Sequence, residues 1–497
     1  MATVSRFSAI YAFGDSLNDA GNDWIGTAGN IPVSPPYFQQ NYGLLNLPAS
    51  LFSNGPIWAQ DLSSQLGLGK LAPSLYAGND FAYGGSEANP SGSGISGFGA
   101  QVIGLDSQLT QFDAAGGGSS SGLYTLSIGT NDIIPIVENA AFDLGAMVGR
   151  IAAAAAAEVS FVSSLVDRGA RAFLVIDVPD VSKMPVVAHH DSAATIALAS
   201  QMSNLYNVDL NAGLQGLAQS RGVSIDVMPL YSLTEEIVAN PARFGISNVT
   251  DPAWTGNFTD PNSGTLAADP NSHLFWDEYH PTAAVHQLIA DDAASIVTTG
   301  TPLFTVPTVQ MTDTVTGQSS TQFGTIAKSP VTTLAGQFIY PGLDSVALST
   351  TAPSMFLKGG PGADALQVTS GNNVLDGGGG SNFLVGGTGS DVFFVDGRAG
   401  APAWSTISNF QPGDSATVFG FHPGLSTLPF TAAEGAAGYQ GLTIHSELNG
   451  PGTGVLASLT FAGIDPLTAY DHFTVTGGTL SAGTADATDY LLIQYNR

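Results

Sequence analysis

The sequence predicts two regions of different class: an α/β region over residues 1–300, with a mainly parallel sheet flanked by helices, and an all-β region over 301–497 that contains a parallel β-roll. Three observations carry this prediction. Short apolar runs alternate with helix-length patterns as far as about Thr298, the order expected of a parallel sheet with helices on both faces. Beyond that point helical periodicity disappears, and Gly, Thr, Ser and β-branched residues dominate. Within this second region glycines recur every nine residues, with a large apolar residue at a fixed place in each repeat.

In chain order, the predicted strands of the first region are Ser8–Phe13, Leu123–Ile128, Arg171–Asp177 and Val223–Val227. The predicted helices are Asp143–Arg168, Ser192–Arg221 and Pro281–Ile296. Open sheets of this kind bind ligands beyond the carboxyl ends of their strands, which directs attention to Gly14-Asp15-Ser16 and Gly129-Thr130-Asn131-Asp132. The stretch from Trp24 to Gln60 carries no charge and holds Pro32, Pro35 and Pro36. It reads either as a wall or lid of that site or as an ordinary excursion of the chain.

The nine-residue units are "GGPGADALQ" (359–367), "VTSGNNVLD" (368–376), "GGGGSNFLV" (377–385) and "GGTGSDVFF" (386–394). Their eighth positions are Leu366, Leu375, Leu384 and Phe393, and the same register runs backward through Leu357, Leu348 and Ile339 before failing at Pro330. Forward, it fails at Pro402, so the roll is expected over about 332–394. Glycines permit the tight turns, the eighth residue fills a narrow core, and the sixth presents an oxygen to calcium. With two repeats per coil, residues eighteen apart stack, pairing Asp364 with Asn382 and Asn373 with Asp391 as candidate calcium ligands. One carboxylate per pair, completed by turn carbonyls, predicts weak binding, in the ~10⁻⁴–10⁻³ M range. A flexible Gly/Ser linker is the alternative, but a linker has no reason to keep a large apolar residue every nine positions.

Composition narrows the function. The 12 Lys and Arg against 40 Asp and Glu give a net charge of −28, a field that repels phosphate backbones and argues against a nucleic-acid partner. The absence of cysteine excludes disulfides, thiolate metal sites and a cysteine nucleophile. The most apolar helical stretch, Ile151 to Ala157, is bounded by Arg150 and Glu158, short of the ~18 uncharged residues of a membrane span. A cleavable signal peptide is not expected, because cleavage after Ala9 or Ala12 would cut the strand that leads to Ser16.

Taken singly, the chemistry-bearing residues have plain structural readings. Ser16 could cap a helix, Asn131 could be a turn residue, and Asp277 could cap the following helix beside an exposed His280. Together they supply a nucleophile, an amide donor for an oxyanion, an imidazole base and a carboxylate to orient it.

These residues lie in blocks that resemble the GDSL, or SGNH, hydrolases. Ser16 in Gly14-Asp15-Ser16-Leu17, with Asp19, Gly21 and Asn22, matches the pattern GDSxxDxGN. "NDFAYGGSEA" (79–88) is similar to the second block, NFAxGGA, with Asp80 in place of the usual Asn. Gly129 to Asp132 matches GxND, and Asp277 to Thr282 matches DxxHPT. "SPPYF" (34–38) and "FSNGPIWAQ" (52–60) resemble long-insert members, so the resemblance covers about residues 8–298. It implies a flavodoxin-like sheet, the SGNH hydrolase fold, and hydrolysis of acyl esters of lipase or esterase type without a catalytic cofactor. Ser16 would be the nucleophile, His280 the base and Asp277 its orienting carboxylate. The backbone N–H groups of Ser16 and Gly85 (Gly84 as the fallback) and the Asn131 side chain would hold the oxyanion. A phospholipase or acyltransferase, or a polysaccharide deacetylase, would use the same site, and a surface adhesin with an inert site is the reading from another class.

The remaining histidines fit less well: His189-His190 reads as a surface loop, His286 lies six residues beyond His280, and His273 lacks a following Pro-capped helix. The nonapeptides resemble the calcium-binding roll of RTX proteins, and "STISNFQPGDSATVFGF" (405–421) is similar to the segment that follows it in many members. That resemblance implies structural Ca2+ in the C-terminal domain and export by an ABC-type (type I) secretion apparatus. The uncleaved signal would lie within roughly residues 440–497, and the protein would act outside the cell.

Overall fold

The computed structural model describes residues 6–88, 103–139, 143–257, 259–260, 262–304, 306–327, 333–398, 402–421, 430–447, 456–469, 472–482 and 487–496. The chain forms two compact units, Met1–Thr305 and Val306–Arg497.

In the first unit the strands Ile10–Gly14, Leu123–Ser127, Ala172–Ile176 and Ser224–Met228 lie side by side in that order, all parallel, with Gly14, Ser127, Ile176 and Met228 level at their carboxyl ends. Along the free edge of Ile10–Gly14 runs the segment 79–83. Ala12 N–H donates to Asn79 O at 3.0 Å, and Phe81 and Tyr83 N–H donate to Ala12 O and Gly14 O at 2.8 and 3.2 Å. The spatial order of these five pieces is therefore 2-1-3-4-5, the flavodoxin-like order, in which the crevice opens between the first and third. The sequence gives no strand signal for the edge piece, because Asp80 and the glycines behind it break any alternation.

The long helices begin where short polar side chains take up free backbone N–H groups. Asp143 caps Leu144–Asp167 through Ala146 N–H, and Ser192 caps Ala193–Arg221 through Thr195 N–H. These two helices pack on each other. Among the described residues Leu144–Asp167 alone is long and apolar enough to cross a membrane. It carries the buried Glu158, whose carboxylate accepts the Tyr206 hydroxyl at 2.7 Å. The third helix is Ala283–Thr299, not one opened by Pro281: Thr282 is its N-cap residue, and Pro281 pairs with Phe275 in an isolated bridge. Asn54 takes the Ala283 N–H at 2.7 Å, which fixes the start two residues late.

In the second unit two parallel ladders stack coil on coil. One is formed by Gly336–Ile339, Met355–Lys358, Val374–Asp376, Val392–Asp396 and Ser415–Phe419, and the other by Val346–Thr350, Ala365–Val368, Phe383–Val385, Ala403–Ser408 and Leu456–Ala462. Leu348, Leu357, Leu366, Leu375, Leu384 and Phe393 all point inward and are buried, and within each ladder they pair at eighteen-residue spacing. This is a parallel β-roll with two repeats per coil. The backward register slips by one at its far end. Phe338 pairs with Leu357 and is buried, whereas Ile339 pairs with Lys358 and is 41% exposed. Beyond Phe393 the spacing lengthens to twenty-three residues, Phe393 pairing with Ala416 and Leu384 with Ile407, so one more coil follows the last nonapeptide. Antiparallel strands then cover the ends: Thr308–Asp313 pairs with Val346–Thr350, and Thr488–Tyr495 pairs with Ser415–Phe419. Pro330 and the expected roll start at 332 lie outside the described residues, as do parts of 440–497.

Candidate active site

Ser16 stands two residues past the first strand because the chain turns sharply there. Gly14 has φ of +123°, and a Cβ on it would lie 2.0 Å from the Ser127 carbonyl oxygen, so only glycine fits. Gln108 clamps the same residue from a neighbouring helix, accepting the Gly14 N–H at 2.9 Å and donating to its carbonyl at 2.8 Å. Asp15 accepts the Leu17 N–H at 3.0 Å, and Asn18 donates to Phe13 O at 2.6 Å, which closes the turn. Burial pushes the Asp15 carboxyl up to about 7, although the Leu17 N–H and His280 oppose the shift.

His280 reaches this serine from the far end of the unit. Its Nε2 lies 2.8 Å from Ser16 Oγ, and its Nδ1 lies 2.9 and 2.8 Å from the two carboxylate oxygens of Asp277. An Nδ1 facing a carboxylate carries the proton, which leaves Nε2 as acceptor for the serine hydroxyl. Asp277 also accepts the Tyr279 and His280 backbone N–H groups at 2.8 and 2.7 Å, so it orders its own loop rather than capping the helix. Its second oxygen accepts the Tyr37 hydroxyl. Burial alone would raise the Asp277 carboxyl; the facing His280, the Tyr37 hydroxyl and the Tyr279 N–H hold it below its ordinary range. Tyr37 is itself buried, edge-on to Trp254 and Trp276 at 5.2 and 5.8 Å. Sequence reasoning marked "SPPYF" only as a block and missed Tyr37 as a partner of Asp277, because the two are 240 positions apart.

Gly85 and Asn131 line the same cavity as Ser16 and His280. Gly85 has φ of +74°, and Asn131, in the first turn of the helix Thr130–Glu138, donates its side-chain amide to Ser86 O at 2.9 Å. The Gly84 N–H is engaged by the Asp19 and Asp23 carboxyls. The cavity measures about 280 Å³, and its walls are largely apolar: Ile31, Phe52, Ile134, Met184, Phe275 and Ile289. Ile31 and Phe52 come from the charge-free stretch 24–60, and the Phe52 ring lies 5.0 Å from that of His280. Asp15, Asp23, Glu87 and Asp180 also line the cavity, so it combines apolar walls with a few polar groups, the usual make-up of a small-molecule site.

Two of the other histidines have partners of their own. His286 is buried with Nδ1 accepting the Trp58 N–H at 3.1 Å; burial, with His280 nearby, pushes it down to about 3, so it stays neutral. His190 pairs with Glu278 at 3.1 Å on the surface.

Residues 10–293 match the family model described as GDSL-like Lipase/Acylhydrolase. The chain belongs to this family. A phosphatidylcholine-sterol acyltransferase of Aeromonas hydrophila is 25% identical over 339 residues, 59% of this chain and 90% of that protein. A GDSL esterase/lipase of Arabidopsis thaliana is 24% identical, covering 58% and 78% of the two chains. Esterase EstA of Pseudomonas aeruginosa is 29% identical over 342 residues, 62% of this chain and 49% of its own length. The GDSL-like family is one of ester hydrolases and acyl transferases, and that class of enzyme is what the first unit represents. Residues 358–393 match the RTX calcium-binding nonapeptide repeat.

In the roll, the four residues singled out as calcium ligands stack in the expected pairs. Asp364 N–H donates to Asn382 Oδ1 at 2.8 Å, and Asn373 N–H donates to Asp391 Oδ1 at 2.9 Å. The ladder continues to Asp414, which accepts the Asp391 N–H at 2.8 Å and which the eighteen-residue rule could not reach. The carboxylates are of the type calcium takes. The amides of Asn373 and Asn382, however, point N–H groups at turn carbonyls and do not fit as ligands in that orientation. Among the described residues no group of three or more His, Asp or Glu side chains converges as a metal site.

Proposed function

We propose that the protein hydrolyses carboxylic (acyl) esters as a serine esterase or lipase. The observation that carries this reading is the unbroken chain from Ser16 Oγ through His280 to Asp277 at the mouth of an apolar cavity. Ser16 Oγ attacks the ester carbonyl while its proton passes to His280 Nε2, and Asp277 holds the imidazolium that forms. The backbone N–H groups of Ser16 and Gly85 and the Asn131 amide receive the oxyanion. Collapse of the tetrahedral adduct breaks the ester C–O bond, and the leaving alkoxide takes the proton from His280. Water, deprotonated by His280, then cleaves the acyl-enzyme and frees Ser16.

Assays of wild type and Ser16→Ala on p-nitrophenyl esters of increasing chain length, beside acetylated xylan and phosphatidylcholine vesicles, test this. Turnover should fall by ~10⁴ or more in the variant, with an unchanged melting temperature. Retained activity would sink the serine mechanism. A second reading, phospholipase or acyltransferase on the same site, is favoured by the phosphatidylcholine-sterol acyltransferase relative; transfer of acyl groups to an added alcohol in preference to water would establish it. In this reading residues 1–300 carry the chemistry. Residues 301–497 carry the roll and a type I export signal, which places the enzyme outside the cell.

A further inference from the structure

Three asparagine side chains bond the carbonyls of roll turns, Asn373 and Asn382 from buried positions and Asn409 from an exposed one. Asn373, 1% exposed, accepts the Met355 N–H on Oδ1 at 2.9 Å and donates through Nδ2 to Ser370 O and Gly371 O at 3.1 Å each, and to Asp391 Oδ1 at 2.8 Å. Asn382 repeats the arrangement on the other side, with Oδ1 on the Asp364 N–H and Nδ2 on Gly379 O, both at 2.8 Å. Asn409 lies beyond the nonapeptides, at φ +60°, and donates to Gly386 O and Gly387 O at 2.8 and 3.1 Å.

For Asn373 and Asn382 the orientation is set by the coil before. A backbone N–H must meet Oδ1, because an amide flipped the other way would set N–H against N–H. The Nδ2 hydrogens then have to face the turn carbonyls. A carboxylate with one oxygen on the same N–H would set its second oxygen against those carbonyls, acceptor against acceptor, and a cation would be needed between them. The two repeat carboxylates avoid this by turning the second oxygen onto their own turn's backbone: Asp364 accepts Gly360 N–H at 2.6 Å, and Asp391 accepts Gly387 N–H at 2.7 Å.

We propose that asparagine amides stand in for calcium in this roll: Asn373, Asn382 and Asn409 close three turns by hydrogen bonds, and the C-terminal unit keeps its fold without the ion. Folding of this unit then does not wait for a calcium-rich compartment.

The test uses the full-length protein, melted by circular dichroism and calorimetry in EDTA and in about 5 mM CaCl₂, a concentration above the range of weak extracellular sites. The β-rich transition of the wild type should move by less than ~2 °C between the two conditions. In the double variant Asn373→Asp/Asn382→Asp, the same transition should fall by several degrees in EDTA and recover with calcium, and calcium titration should release heat that the wild type lacks. A wild-type roll that melts much lower in EDTA overturns the proposal, whatever the variant does. So does a double variant that is as stable in EDTA as the wild type.

Discussion

Asn131 holds the Ser86 carbonyl with its amide, so its position does not depend on a bound substrate. Replacing it with alanine should lower kcat by ~10²–10³, the usual cost of one oxyanion donor, while the circular dichroism spectrum stays that of the wild type. Tyr37→Phe tests the far end of the same chain. Its hydroxyl donates to Asp277 and is one of the groups that hold that carboxyl below its ordinary range. If Asp277 orients the base as proposed, Tyr37→Phe should lower kcat by ~10-fold or more, the worth of one hydrogen bond to a charged group, with KM and melting temperature little changed. A purely structural role for Tyr37 would instead lower the melting temperature and leave kcat of the folded enzyme where it was. The contrast between these residues shows what a sequence discloses. Ser16, Asn131, Asp277 and His280 each sit in a compact local block and were legible from it. Tyr37 reaches Asp277 across 240 positions and Gln108 reaches Gly14 across 94, and no local pattern records those contacts.

Strand ends position the site, and glycine makes the sharpest of them possible. Gly14→Ala would place a methyl group against the Ser127 carbonyl in a backbone region that L side chains rarely adopt; the loss in stability should be about 3 kcal/mol or more. Chemical denaturation measures it, and a variant of near wild-type stability would mean that the strands Ile10–Gly14 and Leu123–Ser127 do not approach so closely. At this scale legibility followed periodicity. The four central strands, the two long helices and the eighteen-residue stacking of the roll were all readable, because each repeats an apolar spacing several times. The edge segment 79–83 was not, since its pairing is held by three backbone bonds and no side-chain rhythm. Phe338 in place of Ile339, and the twenty-three-residue step to Ala416, escaped for a related reason: a loop that lengthens or shortens one coil shifts register without changing the composition around it.

Across the catalytic unit as a whole, acids are buried in unusual number beneath and beside the strand ends. Burial pushes Asp19 up to about 6, Asp15 to about 7 and Asp177 to about 8, and drives Asp80 and Glu158 well above the ordinary carboxyl range. In the unfolded chain all of these titrate near 4, so between about pH 4 and 8 the folded state holds more protons. Stability from these groups is complete below pH 4 and is lost as pH rises through 6, 7 and 8. His286 acts in the opposite sense and in a lower window: held neutral when folded, it costs stability only as pH falls below 6.5. Above pH 6.5 the acids therefore act without that opposition, and the melting temperature of the catalytic unit should fall steadily from pH 6.5 to 9. The net charge of −28 pushes the same way through self-repulsion, but salt separates the two causes. Repulsion among exposed charges is screened within ~10 Å at 0.1 M salt, whereas the titration of buried acids is screened much less. Calorimetry across this pH range at low and at about 0.5 M NaCl should therefore show a decline that salt reduces but does not abolish. A decline that vanishes in salt would assign it to the surface and remove the buried acids as its cause.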